Sequence, residues 1–169
     1  MLLETPEDLL LDQLRDLYSI ETQIEVALPI IVTQTASATL RELLTEHFED
    51  TEGQIVRLQE VFGSLGVSAR GPRCLGIAAL LQEAEDTMRR ACRGAVLDAV
   101  VISCMRRVEH YEIAAYSAAI SYARQLGHCH ITEPLVASLS EELRAELDLS
   151  RVAEAELLEQ GVQPGVLAA

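Results

Sequence analysis

The chain has 169 residues, about one domain with room for a substantial buried core. Hydrophobic residues make up 49% and aromatics only 4%, and Leu, Ala and Glu dominate, a mixture that favours helices packed on helices. The formal net charge is −14 and all thirteen basic side chains are Arg, so the surface repels phosphate backbones, excludes nucleic acid as a partner and tolerates metal cations.

The first predicted helix covers Pro6–Gln34. Leu10, Leu14, Leu17, Ile20, Ile24, Leu28 and Ile31 recur at spacings of three and four, the helical period. Pro6 suits a first turn, and Pro29 is expected to kink the helix or end its regular part. Residues 33–39 read as a short turn, with Thr39 and Glu42 as a capping box for a second helix ending near Leu65. Leu40, Leu44, His47, Thr51, Gln54, Leu58 and Phe62 share a face of that helix, and Gly63 and Gly66 mark its end. Residues 67–94 form a connection that opens on a Gly/Pro/Arg stretch. It continues as a short amphipathic helix with Ile77, Leu80, Leu81, Ala84 and Met88 on one side. Roughly fifteen extended residues at ~3.3 Å each, plus that helix at ~1.5 Å per residue, can span a long bundle. A third long helix covers residues 95–126, with Gly127 just past its end. A fourth runs from near Thr132 to near Gly161, burying Leu135, Leu139, Leu149 and Ala153.

The expected fold is therefore all-α: a four-helix bundle of two antiparallel hairpins, joined by a long crossover that carries a short fifth helix. This is the ferritin-like plan. Residues 1–161 are assigned to the bundle, with the crossover at 67–94, and residues 162–169 to a disordered tail. No apolar run approaches the ~20 residues needed to cross a bilayer, so no membrane span is expected. The acidic first twelve residues lack the basic start of a signal peptide, which points to a cytoplasmic location. Cys74, Cys92, Cys104 and Cys129 have no CxxC spacing and read as reduced, mostly buried thiols. A mean hydropathy of +0.17 without a membrane span implies extra apolar surface, and hence an oligomer.

Sorting the acids at about 100° per residue separates core-facing from solvent-facing groups. Glu21 falls on the seam of Leu14, Leu17, Ile24 and Leu28. Glu112 sits among Val108, Tyr111, Ala115 and Ala119, with Glu109 one turn earlier at the edge of that face. Glu142 and Glu146 align with Leu139 and Leu149, while His47 and Asp50 follow the apolar face of the second helix. Glu49 and Glu52, despite their ExxE spacing, point roughly opposite and read as solvated, as does His110. Tyr18, Tyr111 and Tyr116 read as packing residues. Height agrees with direction. Glu21 lies fifteen residues before Ala36 and Asp50 fourteen after it; Glu112 lies sixteen before His128 and Glu142 fourteen after it. Four carboxylates should thus meet at mid-bundle, roughly 20 Å from each turn. No Arg is expected on the same faces, and buried like charges are costly unless paired or metal-bound. Carboxylates with imidazole suit iron or manganese.

The stretches LRDLYSIE (14–21), EHFEDTEGQ (46–54), RLQEVF (57–62), VEHYEIA (108–114) with Tyr116, LGH (126–128) and SEE (140–142) resemble the YciF-type (YciE/YciF-like) family of bacterial ferritin-like stress proteins. The resemblance implies a five-helix ferritin-like fold, a homodimer and a di-metal site, with no established reaction. By position, the family's acidic residues fall on Glu21, Glu109, Glu112 and Glu142. Asp50 stands where the family usually has Glu, one methylene short, and Glu146 where it usually has Asp. The second helix lacks the ExxH pair typical of true ferritins, so the resemblance implies neither their oxidase chemistry nor iron storage.

Two functions follow as expectations. The first is a ferritin-like protein binding two iron or manganese ions, acting in stress or oxidant response. Glu112 and Glu21 would bridge or terminate the metals and Glu142 and Asp50 would complete the shell. Glu109, Glu146 and His47 would be outer or alternative ligands, and the short Asp50 would leave one position weak. The alternative is a non-enzymatic dimeric helical protein whose acidic core is vestigial and metal-free. No Ser or Cys lies beside an inward-facing base, which argues against a nucleophilic hydrolase.

Overall fold

A computed structural model describes residues 2–159. The described chain forms five helices: α1 (Pro6–Gln34), α2 (Ala38–Leu65), α3 (Leu75–Arg90), α4 (Ala95–Gln125) and α5 (Cys129–Glu159). The 162–169 tail assignment and the last two residues of the bundle assignment, 160 and 161, lie outside the described residues.

Local chemistry sets the boundaries. Thr5 and Asp8 close a reciprocal capping box at the start of α1, with Pro6 in the first turn, where its missing N–H would be unpaired in any case. The cap of α2 is Ser37, whose hydroxyl accepts from Leu40 N at 3.3 Å, so the expected box at Thr39 lies one step inside the helix. Gly66 ends α2 in the left-handed region at φ 68°, where a side chain would be strained. Pro29 does not end α1, which runs five residues further; burial of Leu28 and Ile31 against the core outweighs one lost hydrogen bond. Likewise α5 begins at Cys129, before Pro134 rather than at Thr132.

α1 packs on α2, α4 on α5, α2 on α5 and α1 on α4, which closes a four-helix ring around one core, while α3 lies outside against α4 and α1. Leu14, Leu17, Ile20, Ile24, Leu28, Leu40, Ile77 and Tyr116 are fully enclosed. Contacts from Gln54 to Glu142 and from Arg57 to Ser138 run in opposite chain directions, so α2 and α5 are antiparallel. Asp98, in the first turn of α4, is buried and reaches across to the α1–α2 turn. Its two oxygens accept from Ala36 N at 2.9 Å and Ser37 N at 2.8 Å. Gly76 lets α3 approach α4 closely, since a Cβ there would fall inside contact distance of the Tyr111 hydroxyl. Of the four free cysteines, Cys74 and Cys104 are buried but Cys92 and Cys129 are exposed, so half of the thiols depart from the expected burial.

Candidate metal centre

The helical period carries acids from three helices, and a histidine from the fourth, into the core at one level. Glu21 on α1, Glu109 and Glu112 on α4 and Glu142 on α5 are all 0% exposed, and His47 on α2 is 4% exposed. One ligand atom from each of His47, Glu109, Glu112 and Glu142 lies within 4.8 Å of the others. His47 Nε2 is 3.4 Å from Glu109 Oε1, and neither atom has a hydrogen-bond partner. Glu21 stands beside this group, and its Oε1 accepts from the Tyr116 hydroxyl at 2.5 Å. Gln54, also fully buried, donates its amide to Glu142 and to Glu141 Oε2.

Burial dominates the electrostatics. It raises Glu21, Glu109 and Glu112 well above the usual carboxylate range, and the neighbouring carboxylates, Glu142 first, push them further. Glu142, also raised chiefly by burial, titrates at about 7. Burial lowers His47 to about 4, so its imidazole is neutral at pH 7 with a lone pair available to a cation.

The donor set fits a hard or borderline divalent ion. Among the described residues, eight buried side-chain polar atoms lack a hydrogen-bond partner. Six are carboxylate oxygens of Glu21, Glu109, Glu112 and Glu142; the others are His47 Nε2 and Gln54 Oε1. Buried polar atoms are normally satisfied, and every one of these belongs to a single cluster. Oxygen donors with one imidazole match iron or manganese better than a thiolate-seeking metal.

The structure brings together Glu21, His47, Glu109, Glu112 and Glu142, and leaves Asp50 and Glu146 outside. Asp50 does not face the core as the helical wheel suggests. It is half-buried and accepts from Arg144 Nη2 at 2.7 Å. Thr51 and Gln54 lie within about 40° of His47 around α2, whereas Asp50 is about 60° off, towards α5. Glu146 accepts from Arg106 at 2.7 Å and from Ser150 Oγ at 2.9 Å, and Arg106 and Ser150 hold it below its usual pKa. Arginines therefore do reach the edges of this level, contrary to expectation: Arg57 pairs with Glu141, Arg106 with Glu146 and Arg144 with Asp50. Glu49, Glu52 and His110 are exposed, as expected. Sequence reasoning missed the parts played by Gln54 and Tyr116. Both sit on the correct faces, but their polar ends gain meaning only once the register against α5 and α1 is known.

The sequence model described as "Domain of unknown function (DUF892)" matches residues 5–162. Protein YciF of Escherichia coli (strain K12) is 32% identical over 154 residues, covering 90% of this chain and 93% of its own length. The crystal structure of that E. coli stress protein superposes with a TM-score of 0.88 at 30% identity, covering 92% of this chain and 99% of its own. YcfI from Rhodopseudomonas palustris superposes at 0.86 with 42% identity, covering 88% and 94%. Ferritin-like, diiron-carboxylate proteins from Bacillus anthracis str. Ames share the fold at 0.69, with 14% identity and coverage of 89% and 99%. With five helices, a ferritin-like arrangement and these similarities over most of its length, the chain belongs to the DUF892 family and is a relative of the stress protein YciF.

Proposed function

We propose that this protein binds iron or manganese within the bundle, through His47, Glu109, Glu112 and Glu142 with Glu21 beside them, and acts in a cytoplasmic stress or oxidant response. The observation that carries the reading is that, among the described residues, seven of the eight unpartnered buried atoms belong to the mutually repelling Glu21, Glu109, Glu112 and Glu142 and the neutral His47, and the eighth to Gln54 beside them. A divalent cation would satisfy those atoms and offset the repulsion at once. When bound, such ions supply Lewis acidity and, for iron, electron transfer to oxygen-derived oxidants. The protein's own share is to hold the carboxylates dry and fixed, to orient Glu21 through Tyr116 and Glu142 through Gln54, and to present His47 unprotonated.

A two-metal site with unequal positions follows from the donor count. α2 offers His47 and a neutral amide at Gln54, while its nearest carboxylate, Asp50, is engaged by Arg144. Titration calorimetry with Mn²⁺ or anaerobic Fe²⁺, with metal analysis of the loaded protein, tests the reading. At least one tight ion per chain and a weaker second are expected; no binding would defeat it.

The metal-free alternative draws support from the same Tyr116–Glu21 and Gln54–Glu142 bonds, which satisfy part of the cluster with protein groups alone. It predicts a core kept neutral by protons and indifferent to added metal. A homodimer is proposed as well. Val26 and Ile30 on α1, and Leu143 and Leu147 on α5, are large apolar residues about half exposed or more, each pair one turn apart. Light scattering at micromolar concentration should give twice 18.5 kDa; the monomer mass would rule the dimer out.

A further inference from the structure

A cavity of about 20 Å³ opens between α2 and α5 and reaches His47 and Glu109, two residues whose buried ligand atoms have no partner. That volume admits about one water-sized species. Its outer wall carries Glu46, Asp50, Arg144 and Asp148, three acids against one base. Arg144 Nη2 lies 2.7 Å from Asp50 Oδ2 and 3.8 Å from Glu46 Oε1, so it bridges towards α2 across the opening. Ala145, the next residue on α5, is the small side chain on that wall.

We propose that this opening is the route by which cations and water reach the buried cluster, and that the Arg144–Asp50 ion pair is its gate. The acidic rim concentrates cations at the mouth. The gate is weak by construction: half of the Arg144 side chain and a quarter of the Asp50 side chain are exposed, and solvent-exposed pairs open readily. Arg144 also places a positive charge in the path, so the cation that opens the gate must displace it. The route for cations rests on the metal-binding reading; the route for water does not.

Two measurements on the full chain test it. One is the rate at which metal-free protein takes up Mn²⁺ in a stopped-flow instrument. The other is deuterium exchange at the imidazole C2 of His47, read by mass spectrometry without metal. Arg144→Gln should raise both rates about two- to fivefold, with the equilibrium affinity changed less than either. Ala145→Leu, which fills the wall without changing charge, should lower both. Arg89→Gln, the same charge change on α3 away from the opening, should leave His47 exchange at its natural rate. Accelerated His47 exchange in Arg144→Gln supports the gate. Exchange that is unchanged, or equally fast in Arg89→Gln, overturns it whatever uptake does. Accelerated exchange in a protein that binds no Mn²⁺ would leave the gate standing and remove the metal-binding reading.

Discussion

Glu112 and Glu49 carry the same carboxylate to opposite fates. One is fully buried on α4 among acids and a histidine; the other is exposed on α2. Glu112→Gln should therefore weaken Mn²⁺ binding at least about tenfold, or about 1.4 kcal/mol, while Glu49→Gln leaves it unchanged. Equal affinities by calorimetry would show that the inward face of α4 is not the metal site. Residue direction was legible from the helical period at Glu21, Glu112 and Glu142, which sit mid-stripe among apolar neighbours. It misled at stripe edges. Asp50 and Glu146 were expected inward but lie within reach of Arg144 and Arg106 on neighbouring helices, and a paired charge at the rim is cheaper than a buried one. Glu109, placed at the edge by the same wheel, is fully enclosed because α2 brings His47 over it.

Asp98 does for the helices what no periodicity could announce. One buried carboxylate ties the α1–α2 turn to the start of α4 through two backbone N–H groups. Charge-assisted hydrogen bonds of this kind contribute about 1.5–3 kcal/mol, so Asp98→Ala should lower unfolding free energy in urea by about that amount. Asp98→Asn, with a single acceptor oxygen, should fall between. A loss within error for both variants would show that the turn is held by other contacts. The helices themselves were legible as apolar repeats, and the crossover as a break in them carrying its own short amphipathic stretch. Their ends were less so. Pro29 reads as a kink or an end, but burial of Leu28 and Ile31 on either side carries α1 through it. Ser37 rather than Thr39 caps α2 because the turn it closes is held by Asp98, a contact about sixty residues distant.

At the level of the whole molecule the cluster sets how stability responds to pH. Glu21, Glu109 and Glu112 are raised well above 4.5, and Glu142 to about 7. A raised folded-state pKa contributes stability that is complete below the unfolded value and lost as pH rises through the folded one. His47, lowered from 6.5 to about 4, works oppositely: its contribution is present above 6.5 and fades as pH falls towards 4. Four carboxyls outweigh one imidazole, so the metal-free protein should melt at a higher temperature at about pH 5.5 than at about pH 8. Metal competes with those protons, so the stabilisation given by saturating Mn²⁺ should grow over the same interval as pH rises. A metal-free melting temperature that rises towards pH 8 would contradict the burial of four carboxyls. The central claim is that one cluster inside the bundle is a metal site, and anomalous diffraction at the manganese edge from crystals soaked in Mn²⁺ tests it most directly. The account predicts a strong peak enclosed by His47, Glu109, Glu112 and Glu142, with a weaker second peak towards Glu21. Peaks confined to surface carboxylates, with the interior featureless at saturating Mn²⁺, would contradict it.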